Sequence, residues 1–230
     1  TPNSDHKEII NFNSAEVYDV LNRNSNDTVS YWFKLQQAWC NNAYNTFKDY
    51  DSYLILIYLV NEIFKKYSDR FQYLSYEEFY SKNELLIDKI NLIEISKDLN
   101  IPKETIRRKV NFLQDQNIIF RKGKSIYFNR NLTDAQRPAN SKQIMSVFLE
   151  KSGQILAKES WFGRAFNRIE IEKFIDKYFT ICWQHWFRLQ IPFLVRHRSF
   201  YGDLETWNVW GSIGISQFSD YNKQVQNRVI

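Results

Sequence analysis

The chain has 230 residues and a formal net charge of +5, with 43% hydrophobic, 25% charged and 17% aromatic residues. That balance excludes a disordered chain and allows a core that needs no covalent staples. Two cysteines far apart, Cys40 and Cys182, exclude a disulfide scaffold, and the longest apolar run, Leu54 to Val60, is far short of a membrane span.

With only 6 Gly and 4 Pro, the chain favours long helices over a strand-and-turn fold. It opens Thr1-Pro2-Asn3-Ser4, with neither an initiating Met nor a hydrophobic signal core. A trimmed start and a cytoplasmic protein are expected from that opening. Residues 14–67 read as helices, with a capping signal at Ser14 to Val17 in which Glu16 stands one position early. A helix is expected from about Val29 to Tyr44, and Asp49 or Asp51 suits the cap of the next. Residues 68–83 read as a connection with a short helix.

From Ile90 the character changes. The pattern predicts a short strand over Ile90 to Leu92, a helix over Ile93 to Leu99, a turn at Asn100-Ile101-Pro102 and a helix from Lys103 to about Gln116. Ile118-Ile119-Phe120 and Ile126-Tyr127-Phe128 then flank a polar tip with Gly123, which predicts a hairpin. Asn131 to Ser141, with Pro138, reads as a linker. Helical patterning returns at Ser141; a long helix is expected from Ile169 to Leu189, disturbed at Pro192. Another is expected after Gly202-Asp203, weakened at Gly211 and Gly214.

An ungapped shift lays residues 12–59 on 166–213 with eight identities, among them Asn13/Asn167, Trp32/Trp186, Gln36/Gln190 and Asp49/Asp203. That suggests an internal repeat of the helical unit that precedes the hairpin, with the chain ending before a second hairpin unit. The expected division is 1–83 helical, 84–131 with two helices and hairpin, and 132–230 helical and aromatic-rich.

Charge is concentrated. Between Lys103 and Arg130 stand eight basic residues and two acids, so that segment carries +6 and the remainder −1. Such a patch on a near-neutral body is a footprint for nucleic acid. Ile95, Leu99, Ile106, Val110 and Leu113 fall at inward positions, Ser96 is small where two helices approach, and Asn100 tolerates the left-handed conformation that ends a helix. Lys103, Glu104, Arg107, Arg108 and Asn111 share the opposite face of the second helix.

The stretch Glu94-Ile95-Ser96 through Thr105-Ile106-Arg107-Arg108-Lys109-Val110, with Leu113 and Asn117-Ile118-Ile119, resembles the helix-turn-helix of the cyclic-AMP receptor family of bacterial regulators. The resemblance covers about 40 residues and implies a mainly α fold, a winged helix-turn-helix with a small β-hairpin wing flanked by helical segments. It implies that Lys103, Glu104 and Arg108 read bases and that Thr105 contacts the DNA backbone. Lys122 and Lys124 at the wing tip suit phosphates. Two departures stand out: Lys103 replaces the family's arginine, and Pro102 replaces its serine cap. No cyclic-nucleotide domain is expected, because residues 1–80 read as helical.

Other candidates are weaker. Cys182 and His185 have the spacing of two metal ligands but lack a second pair. Glu77 and Glu78 are adjacent and point apart on a helix. Trp161, Trp183, Trp186, Trp207 and Trp210 suit either a core or an effector pocket, and Arg196-His197-Arg198 reads as a solvated helix end, with contact to DNA flanking the site as the alternative. The expected function is therefore a sequence-specific duplex-DNA-binding transcriptional regulator. A homodimer, no catalytic residues, no cofactor, no membrane and a small-molecule effector as an open question complete the expectation. The alternatives are a winged module for protein contacts, or a receptor or enzyme using the aromatic C-terminal region.

Overall fold

A computed structural model describes residues 13–70, 72–82, 85–87, 91–123, 125–129, 139–159 and 163–228, with backbone alone at 139–140 and 218–228. Three helices open it: α1 (Ser14–Arg23), α2 (Ser25–Phe47) and α3 (Tyr50–Asp69). The cap of α1 is Asn13, whose side chain accepts from the backbone of Ala15; Glu16 then falls on the third helical position and accepts from Asn13 Nδ2 at 3.2 Å. The signal seen at Ser14 therefore lies one residue earlier, which removes the spacing mismatch. Helix α2 stops at Lys48, which takes φ 54°, and Asp49 caps α3 by accepting from Ser52 N. A short α4 (Tyr76–Ser81) starts at a Ser75/Glu78 capping box.

The central part contains β1 (Leu86–Ile87), α5 (Leu92–Leu99), α6 (Lys103–Asp115), β2 (Ile119–Lys122) and β3 (Ser125–Phe128). The strands form an antiparallel sheet in the order β1-β3-β2, with Leu86 opposite Tyr127 and Ile119 opposite Phe128. The strand expected over 90–92 lies earlier. Asn91 instead caps α5, its side chain accepting from Ile93 N and Glu94 N, so Leu92 begins the helix. Residues 131–138 of the expected linker lie outside the described residues, and α7 (Ala139–Lys158) already includes Ser141.

The long helix expected from 169 to 189 is two: α8 (Arg168–Lys177) and α9 (Phe179–Tyr201). The break is held from a distance. Thr180 at the start of α9 donates its N–H to Leu74 O at 3.2 Å, and its hydroxyl accepts from Leu74 N at 3.0 Å. A helix's first N–H groups need such outside partners, and this one is invisible to local pattern. Pro192 lies inside α9 without ending it. The last helix, α10 (Leu204–Arg228), runs straight through Gly211 and Gly214. Gly211 is there for close approach: a Cβ on it would come within 2.9 Å of Gln37 Oε1 on α2.

Helices α2, α3, α9 and α10 pack on one another, with α7 and α8 beside them. Trp39, Trp183, Trp186, Phe179 and Phe187 are buried there, and the same apolar cluster continues through α5, α6 and the sheet. At its centre Gln36 and Gln190 are buried and exchange two amide hydrogen bonds of 2.9 Å across 154 positions of sequence. The bounds of α1 and α2 recur at that same separation as those of α8 and α9, and the first residues of α3 and α10 differ by it too. No described helix is long and apolar enough to cross a membrane.

Candidate nucleic-acid interface

Two faces define α6. Its inner residues Ile106, Val110 and Leu113 are fully buried and pack with Ile95, Leu99 and Ile101. The turn between α5 and α6 is tightly specified. Asn100 takes φ 51°, the left-handed region its short polar side chain tolerates, and Ile101 N donates back to Ser96 O at 3.2 Å. The Ser96 hydroxyl donates to Ile101 O at 2.6 Å, so the small residue also closes the turn. Pro102 supplies no side-chain cap to α6.

The outer face carries Lys103, Glu104, Arg107, Arg108 and Asn111, all exposed, with Thr105 half-buried at its edge. A shallow open depression runs along it, lined by Glu104, Thr105, Arg107, Arg108, Asn111, Phe112 and Asp115. Arg107 turns back on Glu104, with Nη2 2.7 Å and Nε 2.9 Å from Oε2. Both groups are exposed, so the pair is weak and exchangeable. Lys109 does not belong to this face. It points inward to Asp49 at 2.7 Å, fastening α6 to the first turn of α3. Burial raises the Asp49 pKa, but hydrogen bonds from Lys109 and Ser52 outweigh it and hold the carboxyl below its ordinary range.

The hairpin stands beside α6. Ile119, Ile126 and Phe128 point to the core, while Phe120, Arg121 and Lys122 are exposed. Phe120 stacks on Tyr127 across the strands, centroids 5.4 Å apart, and Lys122 Nζ sits 5.3 Å from the Tyr127 centroid. Gly123 supplies φ 63° at the tip; Lys124, expected on phosphates, lies outside the described residues. Asn117 at φ 55° turns α6 into β2, and Asn129 Nδ2 donates to Asn117 O at 2.7 Å, closing the base of the hairpin.

The C-terminal end of α9 braces the turn. Arg198 donates to Asp51 at 2.8 Å and to Asn100 O at 3.1 Å, and Asn100 Nδ2 donates to Ser199 Oγ at 3.0 Å. Arg198 is therefore no solvated helix end: its side chain is 17% exposed, and the partner that desolvates it lies 147 residues away in sequence. His197 packs on Phe193 and Trp207, which leaves Arg196 as the exposed member of that basic spot. Asp49, Asp51 and Arg198 hold the candidate interface without touching its outer face. No motif marks them, because their contacts are long-range.

The remaining candidates are scattered. Among the described residues no three His, Cys, Asp or Glu side chains cluster as metal ligands. Cys40 is buried, and burial pushes the half-buried Cys182 thiol up to about 11. Glu78 closes the α4 capping box. Trp183, Trp186 and Trp207 are buried and packed against other rings, Trp210 is exposed, and Trp161 lies outside the described residues. No protein-family model, curated protein or solved structure matches the chain.

Proposed function

We propose that β1, α5, α6, β2 and β3, within the expected 84–131 division, form a winged helix-turn-helix and that the protein is a sequence-specific duplex-DNA-binding transcriptional regulator acting as a homodimer. The observation that carries this reading is the outer face of α6: three exposed cations, with the half-buried Phe112 at the edge of the depression between them, and a braced apolar inner face. The order β1-β3-β2, with the hairpin beside α6, supports it further.

In this reading α6, 13 residues and so about 20 Å long, enters the major groove, which is about 12 Å wide. Its first turns lie nearest the base edges. Arg108 pairs with guanine O6 and N7. Arg107 leaves Glu104 for a phosphate, which frees the Glu104 carboxylate to accept from cytosine N4. Lys103 is a point charge on a flexible stem and contributes affinity more than base geometry. Lys122 on the wing meets phosphates of the flanking backbone. Two-fold pairing of copies doubles the length of DNA read.

A specific observation favours a second reading. The exposed Phe120, stacked on the half-buried Tyr127, gives the wing an aromatic surface of the kind protein partners use. Fluorescence-anisotropy titration of a randomised duplex pool at several salt concentrations separates the two. DNA binding predicts association that falls steeply with salt and weakens in Arg107→Ala/Arg108→Ala. The protein-contact reading predicts no association even at low salt.

A further inference from the structure

Helix α9 is 23 residues long and contains no aspartate or glutamate. Its inner face packs Trp183, Phe187, Gln190 and Leu194 into the bundle, all four buried. The opposite stripe, at helical spacing, is His185, Arg188, Pro192, Arg196 and Ser199, all exposed. Its arginines differ from others on the helical bundle. Arg23, Arg164 and Arg168 each stand beside a glutamate, whereas Arg188 and Arg196 have no acid partner among the described residues.

The stripe ends at the candidate interface. Ser199 Oγ accepts from Asn100 Nδ2 at 3.0 Å, and Asn100 is the turn residue that ends α5 just before α6 departs at Lys103. Arg196 lies one helical turn back from Ser199 on the same face. Lys97 and Lys103, on either side of the Asn100 turn, are exposed as well. The acids next to this junction in sequence are engaged: Asp98 accepts from the Tyr58 hydroxyl at 2.6 Å, and Asp203 accepts from Thr206 N at 2.6 Å. Arg188 and Arg196 are eight positions apart in α9, about 12 Å along the helix, roughly the axial length of three to four base pairs.

We infer that this stripe of α9 is a second contact surface for the same duplex, on which Arg196 and Arg188 bind backbone phosphates flanking the bases read by α6. Charge complementarity and continuity with the α6 face select the occupant. A polyanion seated on Lys103 and the first turns of α6 meets Arg196 next, across the Asn100–Ser199 contact. Such contacts add affinity and fix register without reading sequence. The inference rests on the reading of α6 as the DNA-contacting helix and extends that surface onto the bundle.

Fluorescence anisotropy across salt concentrations tests it, with the full chain and a labelled duplex from the randomised pool long enough to flank the site on both sides. Arg188→Ala/Arg196→Ala should bind about 10-fold more weakly near physiological salt, with the log–log salt slope smaller by about 2. Its circular-dichroism spectrum should be unchanged, since both positions are exposed and unpaired. Arg188→Lys/Arg196→Lys should keep most of the affinity, because a phosphate needs the charge more than the planar fork. Arg23→Ala/Arg164→Ala removes the same charge elsewhere and should bind like the wild type. An alanine pair on α9 with wild-type affinity and salt slope overturns this surface alone and leaves the α6 reading standing. A loss matched by Arg23→Ala/Arg164→Ala overturns it too, since net charge would then account for the effect. A wild type that binds no duplex at low salt overturns both readings.

Discussion

Helices α6 and α10 each leave one face uncovered among the described residues, and the two faces differ in kind. The outer face of α6 is cationic, with Lys103, Arg107 and Arg108. The open face of α10 is apolar, with Val209, Trp210 and Ile213. Their inner faces are alike: Ile106, Val110 and Leu113 are buried on one, Leu204 and Trp207 on the other. Burial of the inner face explains why each helix exists. The chemistry of the leftover face separates a surface suited to phosphate from one that is not.

The sharpest break in that contrast lies within α6. Ile106→Ala removes a fully buried side chain and should cost about 2–5 kcal/mol in urea unfolding, whereas Arg108→Ala on the exposed outer face of the same helix should stay within about 0.5 kcal/mol. Equal costs would erase the distinction between inner and outer faces. Next in size is the brace. Arg198→Met leaves Asp51 partly buried without its cation and should cost about 2–3 kcal/mol, with weaker DNA binding as the Asn100 turn loosens; Arg198→Lys should recover part of both.

On the outer face the effect should move from stability to binding. Arg107→Ala/Arg108→Ala should unfold like the wild type yet bind duplex about 30-fold more weakly, given about 1–3 kcal/mol per bidentate base contact. A smaller effect belongs to Asp49. Its folded-state pKa is depressed, so it stabilises the fold above the ordinary carboxylate pKa of about 4, and that share is lost as pH falls through the depressed value. Asp49→Asn should therefore be less stable than the wild type near neutral pH, with the gap narrowing in acid; urea midpoints across pH check it. Smallest is Pro102→Ser. A new cap gives about 1 kcal/mol, but losing the proline frees the unfolded chain by a similar amount, so the midpoint should hardly move.

The candidate interface itself was legible because its signals are local. Ser96, Asn100 and the inward spacing from Ile95 to Leu113 lie within one short stretch, and Gly123 between two β-prone triplets marks the hairpin. What holds the interface was not legible. Lys109 counts as one more cation in the sequence, and only the fold turns it to Asp49. Arg198 likewise acquires its role from Asp51, which is distant in sequence. Gly211 reads as a helix breaker until Gln37 is seen against it. The break between α8 and α9 depends on Leu74, and no periodicity within residues 168–201 encodes it.

The most direct test of the central claim is selection of bound duplexes from a randomised pool by the wild type, Arg108→Ala and Lys122→Ala, each at fixed salt. Base reading by α6 predicts an enriched site for the wild type. Arg108→Ala should relax the preference at one position, and Lys122→Ala should keep the same site with uniformly lower affinity. No enriched site, or an identical site in Arg108→Ala at undiminished strength, would contradict a base-reading role for this face.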